Sequence, residues 1–192
     1  MADVKQNTDD METFTDPRDG QTYKTVKIGS QIWMAENLNY KFVDSRCVDG
    51  DTENNKKYGR RYTWKAAKVA RPDGWHRPSK KEWDALEKFV ADTLFRGDKD
   101  YVGYALKAKK GWKDGGNGSD AFGFGALPAG RSHGVGGVVL EYADFWSATE
   151  DGARSAFYRS LSDAGTGLYS RVSLKDYALS VRCVKDSEDP AT

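Results

Sequence analysis

From Gly111 to Gly137 the chain reads GWKDGGNGSDAFGFGALPAGRSHGVGG, with neither a helical nor a strand period. A loop of that length inside a compact domain is uncommon and is usually functional or held by its own side chains. Trp112, Phe122, Phe124 and Leu127 are the anchors this segment offers. The same bias runs through the whole chain, which has 20 glycines and 6 tryptophans in 192 residues. Glycine supplies the positive φ values that turns require, and tryptophan buries a large area per residue. A helical bundle rarely needs so much glycine. The composition therefore predicts a loop-rich fold pinned by Trp33, Trp64, Trp75, Trp83, Trp112 and Trp146.

Regular elements flank the loop region. Val26 and Ile28 alternate with Lys27, Ile32 and Met34 alternate with Trp33, and Gly29-Ser30 lies between. That is the pattern of a two-residue hairpin. Lys41 to Lys57 is polar and reads as a loop. A helix is expected over Tyr62 to Ala70, ending before the Arg71-Pro72-Asp73-Gly74 turn. A second is marked by Ser79 and Glu82 as a capping box. Trp83, Leu86, Phe89, Val90 and Leu94 follow it at helical spacing. The last third reads as short strands: Tyr142 to Thr149, Ala156 to Leu161, Gly167 to Ser173, and Leu179 to Val184. In the last of these Leu179, Val181 and Cys183 alternate with Ser180 and Arg182, which predicts a half-buried strand. Helices segregated from strands indicate α+β, with two helices, short antiparallel sheets and long irregular loops. Residues 1–12 read as a disordered lead, 13–186 as one domain and 187–192 as a disordered tail.

Lysine plus arginine total 30 against 29 acidic residues, a net charge of +1. This argues against a broad electrostatic footprint for nucleic acid or an anionic membrane. No apolar run approaches the ~20 residues of a membrane helix, so no membrane insertion is expected. No basic-then-apolar leader opens the chain, which leaves open a cytosolic chain or one whose leader has been removed. Cys47 and Cys183 are compatible with one long-range disulfide or with two buried thiols.

The segments DGQTYKTVKIGSQIWMAENLNY, KKYGRRYTWKAA, PDGWHRPSKKEWDAL, GSDAFGFGALPAGR, DFWSATE, FYRSL and SVRCVKD, in that order, resemble the Fibrobacter major paralogous domain (FISUMP), from about Phe14 to Asp186. The resemblance implies a C-type lectin-like fold, of the branch shared with formylglycine-generating enzymes and the variable proteins of diversity-generating retroelements. It implies a surface or secreted bacterial domain whose final third displays variable side chains on a rigid scaffold. It also implies four cysteines, near Cys47, Asn55, Arg71 and Cys183. The second and third are absent here, so each implied disulfide has lost one partner, and Cys47 and Cys183 would not be partners of each other. Arg77 stands where the family favours an apolar residue.

Motifs that could carry chemistry are weak. Gly130-Arg131-Ser132-His133-Gly134 matches G-x-S-x-G, but a nucleophile elbow needs a hydrophobic strand before it and a helix after it. Leu127-Pro128-Ala129 precedes it and a glycine-rich loop follows. His76 reads as a structural hydrogen-bonder at a turn rather than a metal ligand or base. Asp44, Asp49, Asp51 and Glu53 form an acidic loop, either solvated or holding calcium, without EF-hand spacing. No cofactor is otherwise expected.

The segment Arg154 to Tyr177 is rich in Ser, Tyr, Arg, Gly and Asp, the composition of binding loops in which rigid aromatics sit among small adaptable residues. With one strand face buried, alternate side chains must point outward. Arg154, Ser160, Ser162, Tyr169, Arg171, Ser173, Asp176 and Tyr177 are the candidate ligand-binding residues. The expected function is non-enzymatic recognition of a protein or glycan. The alternative is carbohydrate attachment, with Tyr169 and Tyr177 stacking on sugar rings.

Overall fold

The computed structural model describes residues 11–47, 52–132 and 140–187. The polar lead before Met11, Asp49 and Asp51 of the acidic loop, His133 and Gly134 of the G-x-S-x-G match, and the tail after Ser187 lie outside the described residues.

The first strands are β1 (Met11–Thr15), β2 (Thr22–Ile28) and β3 (Gln31–Met34). β1 takes in the last two residues of the expected lead, pairing Met11 with Val26 and Glu12 with Thr25. The β2–β3 hairpin forms as expected, with Ile28 opposite Gln31. Gly29 turns it at φ 63°, and a Cβ there would press on the Phe89 ring at 3.1 Å. Next come β4 (Ser45–Arg46), α1 (Thr52–Tyr58), β5 (Arg61–Thr63), α2 (Trp64–Val69), β6 (Trp75–His76), α3 (Lys80–Phe95) and α4 (Val102–Leu106). The last third supplies β7 (Tyr142–Glu150), β8 (Ser155–Ser162), β9 (Tyr169–Leu174), β10 (Ala178–Leu179) and β11 (Val184–Lys185). Three sheets result, in the orders β1-β2-β3-β11-β6, β10-β5-β4 and β7-β8-β9. All their pairings are antiparallel. The architecture is α+β. None of the described helices is long and apolar enough to cross a membrane.

Two expectations are corrected. There are four α-helices among the described residues, not two. α1 lies inside the expected polar loop, in TENNKKY, where no apolar period announces a helix. Buried Tyr58, packed with Ala129, and the Glu53–Lys56 ion pair accompany it. The stretch from Leu179 to Val184 is not one half-buried strand. It is divided between β10, on β5, and β11, on β3 and β6. Between them Ser180, Val181, Arg182 and Cys183 are all buried. The segment threads the interior and exchanges backbone hydrogen bonds with several elements, including Ser180 N–H to Asp144 O and Leu38 N–H to Val181 O.

α3 behaves as its sequence requires. Ser79 and Glu82 close the capping box in both directions, and Trp83, Leu86, Val90 and Ala91 are buried. Phe89 sits at the margin of that face, 38% exposed, against Phe122. All six tryptophans are buried. Trp33, Trp83, Phe124 and Phe145 form one ring cluster with centroids 4.6–6.2 Å apart. Such tilted and edge contacts add roughly 0.5–1.5 kcal/mol per pair beyond the area buried. The glycine-rich loop is anchored as expected: Phe124 is fully buried, and the Trp112 indole N–H donates to Ala126 O at 2.9 Å.

Both cysteines are free thiols. The Asn55 amide donates to Cys47 Sγ at 2.8 Å, and burial pushes the Cys183 thiol up to about 12, opposed chiefly by the nearby Arg71 charge. Asn55, one of the positions where the resemblance implies a further cysteine, thus touches Cys47. Arg77 is accommodated by stacking on Trp64 at 4.3 Å and donating to Trp64 O at 2.8 Å.

Candidate recognition surface

The β7-β8-β9 sheet carries most of the sequence-predicted site. Its register pairs Trp146 with Tyr158 and Arg171, Asp144 with Ser160 and Tyr169, and Tyr142 with Ser162. Because strand residues alternate in facing, Tyr142, Asp144, Trp146, Tyr158, Ser160, Ser162, Tyr169, Arg171 and Ser173 share one face. The opposite face presents Phe145, Arg159 and Leu161, and it packs on α3, where Arg159 is ion-paired with Asp84. β8 is therefore buried on both sides, whereas β9 is the edge strand and is largely exposed.

Exposure divides the candidates. Tyr169, Arg171, Arg154 and Asp176 are exposed, while Ser162, Ser173 and Tyr177 are half-buried. Ser160 is not exposed as expected: it is 3% accessible, and its hydroxyl donates to Asp144 Oδ1 at 2.6 Å. The central strand has neighbours on both edges and structure over both faces, so alternation does not guarantee it an outward side chain. Tyr169 and Arg171 lie together, with the guanidinium over the phenol ring at 5.6 Å. Arg154 lies in the β7–β8 turn, where its carbonyl accepts from Lys175 N–H. Tyr177 packs against a separate core cluster that includes Tyr62, Trp64 and Trp146, and belongs to the scaffold as much as to the surface.

Sequence reasoning missed the buried groups of this face. Asp144 is fully buried. Beside its bond from Ser160, its Oδ2 has no hydrogen-bond partner, and Arg131 Nη1 stands 3.8 Å from it. Arg131 Nη1 also donates to Tyr158 Oη at 2.8 Å, and its guanidinium faces the Tyr142 ring at 5.8 Å. Burial raises the Asp144 carboxyl to about 6, against the Ser160 hydroxyl and the Arg131 and Arg171 charges, which favour ionisation. A clue was present: Asp144 is the sole charged residue in the otherwise apolar start of YADFWSAT. Beside these buried groups on the same face stand Tyr142, Tyr169 and Arg171, with Arg131 bonded to Tyr158. The exposed part of this face offers aromatic rings and guanidinium donors to a planar or hydrogen-bonding group, while Asp144 lies buried beside them.

Other singled-out residues have structural roles. His76, on β6 rather than at a turn, bridges Glu82 and Asp186, both at 2.6 Å, the hydrogen-bonding role expected of it. Ser132 is buried and forms a backbone bridge with Ala178. Of the acidic loop, Asp44 is exposed at φ 62°, and Glu53 pairs with Lys56 at 2.7 Å.

An α+β domain with small antiparallel sheets, long tethered loops and an aromatic-rich edge sheet is the class these features define. The family model for the Fibrobacter succinogenes major domain matches residues 26–185. The chain belongs to that family. No curated protein and no solved structure matches it.

Proposed function

We propose that this domain is a non-enzymatic recognition module, displayed or secreted at a bacterial surface, whose β7-β8-β9 sheet contacts a protein ligand. The observation that carries the reading is the make-up of one sheet face. Exposed Tyr169 and Arg171 stand on an edge strand, beside the buried polar groups Asp144, Ser160 and Tyr158 on the same sheet face. Rigid aromatics and arginines over a desolvated centre are the makings of a binding hot spot. The free edge and exposed faces of β9 further support it, since its side chains can vary without touching the core. A C-type lectin-like ancestry, and kinship with retroelement-diversified variable proteins, belong to this proposal. They rest on the resemblance of the motifs and on the three long strands of the final third, β7 to β9, lying in one sheet.

The immobilised domain is to be compared with a Tyr169→Ala/Arg171→Ala double variant in capture from a secreted and cell-surface protein fraction. Selective capture by the unmodified domain, lost in a variant of unchanged melting temperature, is the expected outcome. Identical capture by both overturns the reading. The exposed Tyr169 ring favours one second reading, stacking on a sugar. Retention on insoluble cellulose or xylan that depends on Tyr169 would support it, and no retention would remove it.

A further inference from the structure

Away from that sheet, a cavity of about 390 Å³ opens between the start of β2, the segment after β3, α1 and the loop around Asp120. It shares no lining residue with the recognition surface and lies within the size range of small-molecule sites, roughly 300–1,000 Å³. Its lining is polar to an unusual degree for such a site.

Part of that polarity is spent on structure. Arg182 is buried and donates to Asn37 Oδ1 at 2.7 Å, to Gly125 O at 3.2 Å, and to Phe124 O. Asn37 donates in turn to Tyr58 O at 2.8 Å. These bonds tie the loop, α1 and the strand segment into one rigid wall. Lys56 is held by Glu53 at 2.7 Å, and Lys57 lies over the Tyr58 ring at 4.6 Å.

Other polarity is unspent. Asn55 is 6% exposed, and its Oδ1 has no hydrogen-bond partner. A buried amide oxygen in that condition costs about 1–3 kcal/mol. Asp120 uses Oδ1 to accept from Gly125 N–H at 2.7 Å. Burial raises the Asp120 carboxyl above its ordinary value, the Gly125 bond and the Arg182 charge opposing. Glu36 accepts Lys24 N–H through Oε2 at 2.8 Å. Each carboxylate keeps acceptor capacity beyond its one bond. The cavity thus offers acceptors at Asp120, Glu36 and Asn55 beside donors at Gln21, Tyr23, Lys24 and Asn39, so the complementary ligand is rich in hydroxyls, which donate and accept at once. It is also uncharged overall. A cation would meet Arg182 and the Lys24 rim, and an anion would meet Asp120 and Glu36.

We propose that this cavity binds one neutral, hydroxyl-rich small molecule about the size of a single sugar ring, with Asn55 Oδ1, Asp120 and Glu36 accepting its hydroxyl protons. The few apolar side chains along the wall, Ala35 and Leu127, leave little to hold an apolar ligand. The site is independent of the protein-recognition reading, and either can fail alone.

The test is a titration of the ¹⁵N-labelled full chain with the methyl glycosides of D-glucose, D-galactose, D-mannose and N-acetyl-D-glucosamine. Ammonium chloride and sodium sulfate serve as charged comparators. With at least one glycoside, saturable shifts are expected at the Gly123 and Gly125 amides and at the Asn55 side chain. Asp120→Ala removes a charged acceptor and should weaken binding about tenfold or more. Because Asp120 also supports the loop, Glu36→Ala is the parallel variant. Glu36 is exposed, so its loss should weaken binding while the dispersed spectrum is kept. The proposal is overturned if no glycoside moves these signals. It is equally overturned if either salt moves them as the sugars do. Sugar-induced shifts confined to β9 would overturn this site and support the carbohydrate reading of the sheet.

Discussion

Replacing Asp144 by Asn tests this buried carboxyl directly. The fold holds this carboxyl at about 6, against 3.8 for an ordinary aspartate. That is roughly a hundredfold in proton affinity, or ~3 kcal/mol. A group whose folded pKa is raised supplies stability in full below its unfolded pKa and loses it as pH rises through the folded value. Stability from Asp144 is therefore present below pH 3.8 and lost through about pH 6. Integrating between pH 4.5 and 8 gives a loss of ~2 kcal/mol. Asn keeps the shape and an acceptor for the Ser160 hydroxyl but does not ionise. It gives up the 3.8 Å attraction to half-exposed Arg131, worth no more than ~1 kcal/mol. The expected result is a melting-temperature difference, variant minus unmodified chain, that grows by about 4–8 °C from pH 4.5 to pH 8. Using the difference cancels every other titrating group. Thermal unfolding followed by near-ultraviolet circular dichroism at five pH values is sufficient. A difference that stays constant, or that shrinks toward pH 8, refutes the claim that Asp144 is a desolvated carboxylate.

Other expectations follow from the same contacts. Ser160→Ala removes the hydroxyl from Asp144 Oδ1 and should cost about 1.5–3 kcal/mol at pH 7 by urea titration. His76 lies between two carboxylates, and its hydrogen bond to Glu82, stronger than its desolvation, raises its pKa. Its contribution is present below the ordinary value of 6.5 and lost as pH rises through the raised one. His76→Gln should therefore cost about 1 kcal/mol at pH 6 and less at pH 9. Asn55→Cys places a second thiol against Cys47. Under oxidation the pair should form a disulfide, detected by mass spectrometry, adding up to ~2–3 kcal/mol by loop closure. Arg182→Met strips the donors from Asn37, Phe124 and Gly125 and should cost about 2–5 kcal/mol by denaturant unfolding, since each buried oxygen left without a donor costs about 1–3 kcal/mol.

Local patterns proved readable where one residue class decides. Gly29-Ser30 sets a hairpin by turn chemistry, Ser79 and Glu82 cap a helix by reciprocal bonds, and tryptophan has to be buried wherever it falls. The strands from Tyr142 to Leu174 were legible from their alternation and turn residues. What escaped the sequence depends on tertiary neighbours. α1 carries no apolar period, so packing by Tyr58 is not visible beforehand. Alternation points Ser160 outward because it cannot tell a central strand from an edge strand. Arg182 sat among alternating apolar residues as if it were the solvent-facing member. Inside, its guanidinium is satisfied by the Asn37 side chain and by the carbonyls of Phe124 and Gly125, all of them distant in sequence. Tyr169 and Arg171 are exposed, as composition and strand alternation lead one to expect, while Asp144 and Arg131 come together only through tertiary neighbours.

β9 touches the rest of the molecule through β8 alone among the sheet pairings, and five of its six residues are exposed. Substitutions at such positions ordinarily shift stability by no more than ~0.5 kcal/mol. This domain therefore keeps a short stretch of sequence that can be rewritten without renegotiating the interior. Evolution, or a protein engineer, can draw many different chemistries there while the same tryptophans keep the body unchanged.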